Sequence, residues 1–196
     1  MALKMGATDA KIITVDKIIV EDRIVLKCKV GCPNYGKTLS CPPYTPTAEE
    51  FRKIVREYNY ALLMKFKSSA NADVKLAKHL SKAETDSTVP NCIREKIKRF
   101  WNAWKDDKLK MLSVVLELEK ALMNKGYPLG IGLISGHCQL CDKCTLNRNT
   151  CASPIKVRYS EEAVGVNVQA TAKNAGIKFT YPFDKNPESF ALILID

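Results

Sequence analysis

Residues 136–151 read GHCQLCDKCTLNRNTC, so that Cys138, Cys141 and Cys144 recur at every third position and Cys151 follows shortly after. Any fold this chain adopts must bring those thiols to one object. A tetrahedral zinc site usually draws two ligands from one C-x2-C knuckle and two from another, because one ion does not readily accept three thiolates at this spacing. A cubane offers separate iron corners, and a C-x2-C-x2-C run wraps it with one thiolate per iron. The spacing therefore predicts a [4Fe–4S] cluster on Cys138, Cys141 and Cys144, with Cys151 near enough to close the fourth corner. Zinc is the weaker alternative. The polarity of the stretch argues against ordinary core cysteines.

A second set, Cys28, Cys32 and Cys41, lies upstream in KCKVGCPNYGKTLSCPPYTP, where Gly31, Gly36 and four prolines predict a loop. Three thiolates leave one iron of a second cluster open to water, substrate or a non-cysteine ligand, the arrangement that Lewis-acid chemistry at iron requires. The spacing allows another partition. Bacterial ferredoxins complete the cluster of one cysteine run with a remote cysteine followed by proline, and Cys41 precedes Pro42. Cys41 would then join Cys138, Cys141 and Cys144, leaving Cys28, Cys32 and Cys151 for the other site. Local closure by Cys151 costs less loop entropy, but both partitions stand. Cys92, alone in VPNCIREK, is either a packed residue or a remote ligand. His137 can hydrogen-bond to cluster sulfur, and His79 reads as a surface residue.

With 196 residues, 46% of them hydrophobic, the chain can bury one substantial core, and a single domain over 1–196 is expected. Eight cysteines in a chain of this size point to metal or redox chemistry rather than a disulfide framework. No apolar run approaches the roughly 20 residues of a membrane helix, and MALKMGATDAKIITV lacks a signal peptide's basic and apolar regions. A cytoplasmic location with no membrane partner follows as an expectation. The 31 basic and 21 acidic residues give a formal charge of +10, which metal-bound thiolates would lower at their own place.

No repeat or low-complexity tract divides the chain. KIITVDKIIVEDRIVLKC is consistent with strands or a short helix. Thr47, with Glu50 three residues on, predicts a capped helix over AEEFRKIVREY that turns Phe51, Ile54, Val55 and Tyr58 to one side. YALLMKF reads as a buried strand, NADVKLAKHLSKA as a helix, and residues 92–126 as one long or broken helix ending at Gly126. YPLGIGLIS is a further strand, SEEAVGVNVQATAKNAG a helix, IKFTYPF an extended segment and SFALILID a terminal strand. These elements predict an α/β sandwich with a central sheet, parallel or mixed, helices packed on it, and two cysteine-rich loops carrying metal clusters.

The same residues carry a resemblance. CPNYGKTLSCPPYTPTAEEF together with CQLCDKC and CASPIKVRYSEEAVGVNV resembles the predicted metal-binding proteins of domain of unknown function 2284, found mainly in anaerobic archaea and bacteria. The resemblance implies a redox-sensitive metalloprotein with iron–sulfur clusters and names no reaction. Family members often carry Arg-His-Pro after the last cysteine, where this chain has Ala152, Ser153 and Pro154.

Three functions compete. Two clusters would suit an electron-transfer or accessory redox protein with a protein partner, and no nucleotide-binding or zinc-hydrolase motif argues otherwise. An enzyme would instead use the open iron to bind a small-molecule substrate or sulfur, with Tyr35, Lys37 and Tyr44 as donors beside it. A nucleic-acid or zinc-structural module would use REKIKRFWNAWKDDKLK, whose cations alternate with Phe100, Trp101 and Trp104. Helical spacing disfavours nucleic acid, because Ile93, Ile97, Phe100, Trp101 and Trp104 fall on one face while Arg94, Lys98 and Lys105 lie on others.

Overall fold

The computed structural model describes residues 1–80, 86–179 and 185–196. Four strands form its sheet: β1 (Asp9–Thr14), β2 (Tyr60–Lys67), β3 (Ile131–Ile134) and β4 (Glu188–Ile195). Their order is β1-β2-β4-β3. Every pair is antiparallel, which corrects the parallel or mixed pairing expected from the alternation of elements. The helices are α1 (Asp22–Gly31), α2 (Ala48–Val55), α3 (Val74–Ala77), α4 (Asn91–Met123) and α5 (Val168–Asn174).

The central strand β4 is apolar without alternation, and every residue from Ser189 to Ile195 is buried. An uninterrupted apolar run of this length suits a strand covered on both faces. On one face Phe190, Leu192 and Leu194 pack with Ala61 and Leu63 beneath Phe51 and Val55 of α2 and Ala172 of α5. On the other, Ala191, Ile193 and Met64 meet Met111, Val115 and Leu118 of α4. The result is the expected α/β layering, with a sheet between two helical layers. Gly132 of β3 lets α4 approach closely, since a methyl there would run into Val115 Cγ1 and sit 2.9 Å from Glu119 Oε1.

At 33 residues, α4 is about 50 Å long and unbroken. Its first half leaves the sheet and buries Ile97 and Phe100 against Ala70, Ala72, Leu76 and Val89. Trp104 stacks on Phe100 with ring centroids 6.2 Å apart, whereas Trp101 meets the Phe100 edge and stays 40% exposed, outside the apolar face the spacing gave it.

The helix α2 begins as the sequence predicts. Thr47 Oγ1 accepts from the Glu50 N–H at 3.2 Å, and Glu50 Oε2 accepts from the Thr47 N–H at 2.7 Å, a reciprocal capping box. Other expectations are corrected. Helix α3 covers only Val74–Ala77 of the predicted 71–83, and residues 81–83 lie outside the described residues. Residues 160–176 form not one helix but a 3₁₀ turn, Glu162–Val164, then Gly165 at φ 91 and finally α5. Of the predicted extended 177–183, residues 177–179 are irregular and the rest lie outside the described residues. Among the described residues no helix is long and apolar enough to cross a membrane.

Candidate metal centre

The two cysteine sets reach the same end of the fold by different routes. Cys28 lies in the last turn of α1 rather than in the predicted loop, because the segment from Asp22 to Gly31 stays helical, and Cys32 caps it with a 3.3 Å bond from its N–H to the Cys28 carbonyl. A chain of tight turns then folds the segment back. The N–H groups of Tyr35, Lys37 and Cys41 donate to the carbonyls of Cys32, Asn34 and Thr38, and Gly36 N–H reaches Pro42 O at 2.9 Å. This return brings Cys41 under the electrostatic influence of Cys32, and Cys28 under that of both.

The second set hangs between β3 and the strand-like exit through Tyr159. Ile134 N–H donates to Tyr159 O at 3.0 Å and Ser135 N–H to Phe190 O at 3.2 Å, so the base of the loop is pinned to the sheet. Within it Leu146 adopts φ 56, the one non-glycine residue with positive φ among the described residues. Strained backbone of this kind persists where the surroundings fix it, often at a functional site. Beyond it Cys151 returns to the others, and Cys138 responds to the charges of Cys141, Cys144 and Cys151 alike. The Leu140 amide also donates to the Cys138 sulfur. Outside the loop, Asp142 faces Lys105 of α4 at 3.7 Å.

The two loops touch. Cys138 N–H donates to Ser40 Oγ at 2.8 Å, and that hydroxyl lies 4.0 Å from Cys41 Sγ. Electrostatic neighbours thus group Cys28 with Cys32 and Cys41, and Cys138 with Cys141, Cys144 and Cys151, although Cys41 stands at the boundary. All eight cysteines are free thiols. No three His, Cys, Asp or Glu side chains among the described residues converge on one point as a single ion requires. A cubane asks instead for thiolates on separate corners and for amides aimed at sulfur, and the Cys138 loop offers both kinds of group.

Burial pushes the thiols up. Cys28 rises to about 11, from burial first and then from Cys32, Glu162 and Cys41; Cys41 and Cys138 shift the same way, again chiefly by burial. Metal binding must displace those protons, so loading of the metal-free chain strengthens as pH rises. Iodoacetamide should label Cys28 of the metal-free chain slowly at pH 8 and progressively faster towards about pH 11, read by mass spectrometry. A rate that is flat across that range would contradict the burial argument.

Cys92 is exposed, so it is not a packed residue. It lies on α4 about 20 Å along the axis from Lys105, the α4 residue facing the second loop. Cys92→Ala should leave iron and sulfide contents of the reconstituted protein unchanged.

A family model described as Predicted metal-binding protein (DUF2284) matches residues 11–195. The chain belongs to that family. The match takes in both cysteine loops and all four strands but β1's first two residues. No curated protein and no solved structure matches the chain.

In this DUF2284 chain the polar centre behind the loops escaped sequence reasoning. Lys108, 6% exposed, donates to Ser135 Oγ at 2.5 Å and Ser189 Oγ at 2.9 Å, and lies 4.5 Å from the Trp104 ring centroid. Burial lowers it to about 8 against the opposing pull of Glu161, Glu162 and Asp107. Glu161 is 1% exposed, and neither carboxyl oxygen has a hydrogen-bond partner among the described residues. Burial, then the Glu162 carboxylate, holds it well above the carboxylate range, while its own amide and Lys108 oppose the shift. Both partners move towards their neutral forms, and the pair has no net charge whether both are neutral or both ionised. His137 is driven down by burial and by the Lys108 charge, so its imidazole is neutral and able to accept or donate one hydrogen bond beside Cys138. The signal for the acidic pair was present in SEEAVGV, two carboxylates leading into an apolar run. Tyr35, Lys37 and Tyr44 are exposed, and their side chains make no hydrogen bond among the described residues.

Proposed function

We propose that this chain is an iron–sulfur redox protein with two [4Fe–4S] clusters, one on Cys138, Cys141, Cys144 and Cys151 and one on Cys28, Cys32 and Cys41, acting in electron transfer to or from a protein partner. The observation that carries this reading is the shared wall. Ser40 accepts from the Cys138 amide and directly precedes Cys41, so the two thiol groups adjoin through a single hydroxyl. When bound, such clusters supply one-electron storage at potentials set by ligation, charge and hydrogen bonds to sulfur.

The chain's own groups do the rest. The Leu140 amide stabilises negative charge on the Cys138 sulfur, and the Ser40 hydroxyl fixes the spacing of the two loops. The buried Lys108, held by two serines, sets a positive charge or a dipole behind His137 without opening the centre to water. Cys141 is exposed and Cys28, Cys32, Cys138, Cys144 and Cys151 are half-buried, so the clusters would lie near the surface, where an electron can leave to a docked partner. The exposed, unpartnered Tyr35, Lys37 and Tyr44 give no comparable support to a substrate site.

The test is anaerobic reconstitution followed by metal and sulfide counts and electron paramagnetic resonance. About eight iron and eight sulfide per chain, with a reduced spectrum broadened by interaction between neighbouring clusters, is the expected result. Stoichiometric zinc without sulfide, or a spectrum of isolated non-interacting centres, would sink the reading.

A further inference from the structure

Where β2 ends and β4 begins, the fold leaves a cavity of about 140 Å³. The turn after Ala2–Met5, the end of β2 with Ser68, and the middle of α4 enclose it. Gly6, Lys67 and Lys110 are exposed and mark its mouth, whereas Lys108, Met111 and Val114 are buried and form its floor.

Its walls are of two kinds. Met5, Phe66, Met111 and Val114 make an apolar side, and the Trp104 ring joins them. Polar groups gather at the Lys108 end, but not all of them are free to meet a ligand. Asp107 is committed: its Oδ2 accepts from the Ser68 hydroxyl at 2.7 Å, the Ser69 N–H at 2.6 Å and the Ser69 hydroxyl at 2.8 Å, and its Oδ1 lies 3.6 Å from Lys110 Nζ. Lys108 is not. An ammonium has three N–H groups, and Lys108 gives one to Ser135 Oγ and one to Ser189 Oγ, so that the third has no acceptor among the described residues. Its Nζ stands 4.5 Å from the Trp104 ring centroid, and Trp104 and Ser189 both line the cavity, which puts the ammonium at the cavity wall. The buried Glu161 carboxyl makes no hydrogen bond among the described residues and so does not take up that donor.

A buried cation with a spare donor beside an apolar wall is stabilised by an anion that carries an apolar tail. Size narrows the choice, since a cavity of about 150 Å³ accommodates benzene and this one therefore has room for about six non-hydrogen atoms. A phosphate is small enough, but its oxygens call for several donors and the floor offers one. We propose that the cavity binds a short aliphatic carboxylate, its carboxylate accepting the free Lys108 N–H and its chain lying among Met5, Phe66, Met111 and Val114. Lys108 also borders the narrow gap beside His137 and Cys138, so the bound anion sits one side chain behind the second cysteine loop. The residues that make the site are not cysteines, and it stands whether or not the loops hold clusters.

The test uses the full chain, reconstituted without oxygen, with sodium butyrate as the probe, butyramide as its neutral isostere and sodium chloride to hold the ionic strength constant. The chain has two tryptophans, so Trp101→Phe leaves Trp104 as the only indole, and its emission reports on the cavity. Calorimetry should show saturable binding of one butyrate per chain, with butyramide bound at least about tenfold more weakly, the contribution of one hydrogen bond to a charged group. Trp104 emission should saturate over the same range of butyrate. Val114→Phe, which fills the cavity while keeping Lys108, should abolish both signals with its circular dichroism unchanged. The comparison of the two probes on the chain with its cavity intact decides the matter even if that variant fails to fold. Equal affinity for butyrate and butyramide would show that Lys108 does not recognise the ligand. Heat of binding without a change at Trp104 would put the ligand elsewhere, and no saturable binding at all would leave the cavity to water; each of these three results overturns the proposal.

Discussion

Serine in place of Cys138, Cys141 or Cys144 should each remove about half of the iron and sulfide bound per chain, leaving the spectrum of a single cluster. The three share one loop, and Cys138 feels the charge of both others, so loss of any one thiolate opens the same object. The effect is large because a cluster missing one of its thiolates is lost or reduced to a fragment, whereas an outer hydrogen bond only tunes it. Cys151→Ser should act in the same way, since the Cys151 charge also bears on Cys138. Cys41→Ser should instead strike the site shared with Cys28 and Cys32. Anaerobic iron and sulfide analysis on all five variants would decide it, and full retention in the first three would refute the assignment. If Cys41→Ser and Cys138→Ser abolished the same spectral component, the ferredoxin-like partition would be the right one.

The largest effect on stability is expected at Arg158. This side chain, 12% exposed, forms an ion pair with Glu119, 11% exposed, its Nε lying 2.7 Å from Glu119 Oε1 and its Nη2 donating to Oε2. Arg158 also donates to the carbonyls of Ile155 and Val157, and Glu119 accepts from the Gly132 N–H at 2.6 Å. One buried pair thus ties α4, β3 and the exit of the second cysteine loop together. Arg158→Met leaves the Glu119 carboxylate buried without its cation and should cost about 3 to 5 kcal/mol, a large share of the roughly 5 to 15 kcal/mol that holds a domain folded. The double variant Glu119→Gln/Arg158→Met should cost distinctly less, since a buried pair removed together leaves no uncompensated charge. Urea unfolding of the metal-free chain measures both, and equal costs for the single and double variants would show that packing, not charge, is what Arg158 contributes.

Much of this was legible in the chain. The continuous apolar run of SFALILID announced a strand covered on both sides, and Thr47 with Glu50 announced the start of α2, because each signal is local. The thiol spacing of the second loop was legible for the same reason. What stayed hidden depends on partners distant in sequence. Lys108 reads as one cation among many on a basic helix until Ser135 and Ser189 arrive from β3's end and β4 to hold it. The turn Glu162–Val164 is likewise held from afar, by Thr45 at the Ala163 carbonyl and Glu21 at the Gly165 carbonyl. The predicted helix over 160–176 failed at Gly165, where contact with Ala48 and Glu21 forces a left-handed turn that no pattern within the segment required. Cys28 was misplaced in a loop because Gly31 and Pro33 were read as breaking structure several residues before they do.

The central position of β4 also orders events in time. Strands β1 and β2 pair with each other soon after they are made, but β3 pairs only with β4, which follows both cysteine loops in the chain. A ribosome therefore releases the second cysteine run well before the strand that anchors its base exists, and until then Ser135 lacks the Phe190 carbonyl that pins it. Four thiols wait on an unanchored tether during that interval, open to oxidation or to whichever metal arrives first. Until β4 is in place, the fold does not yet hold those thiols at one site.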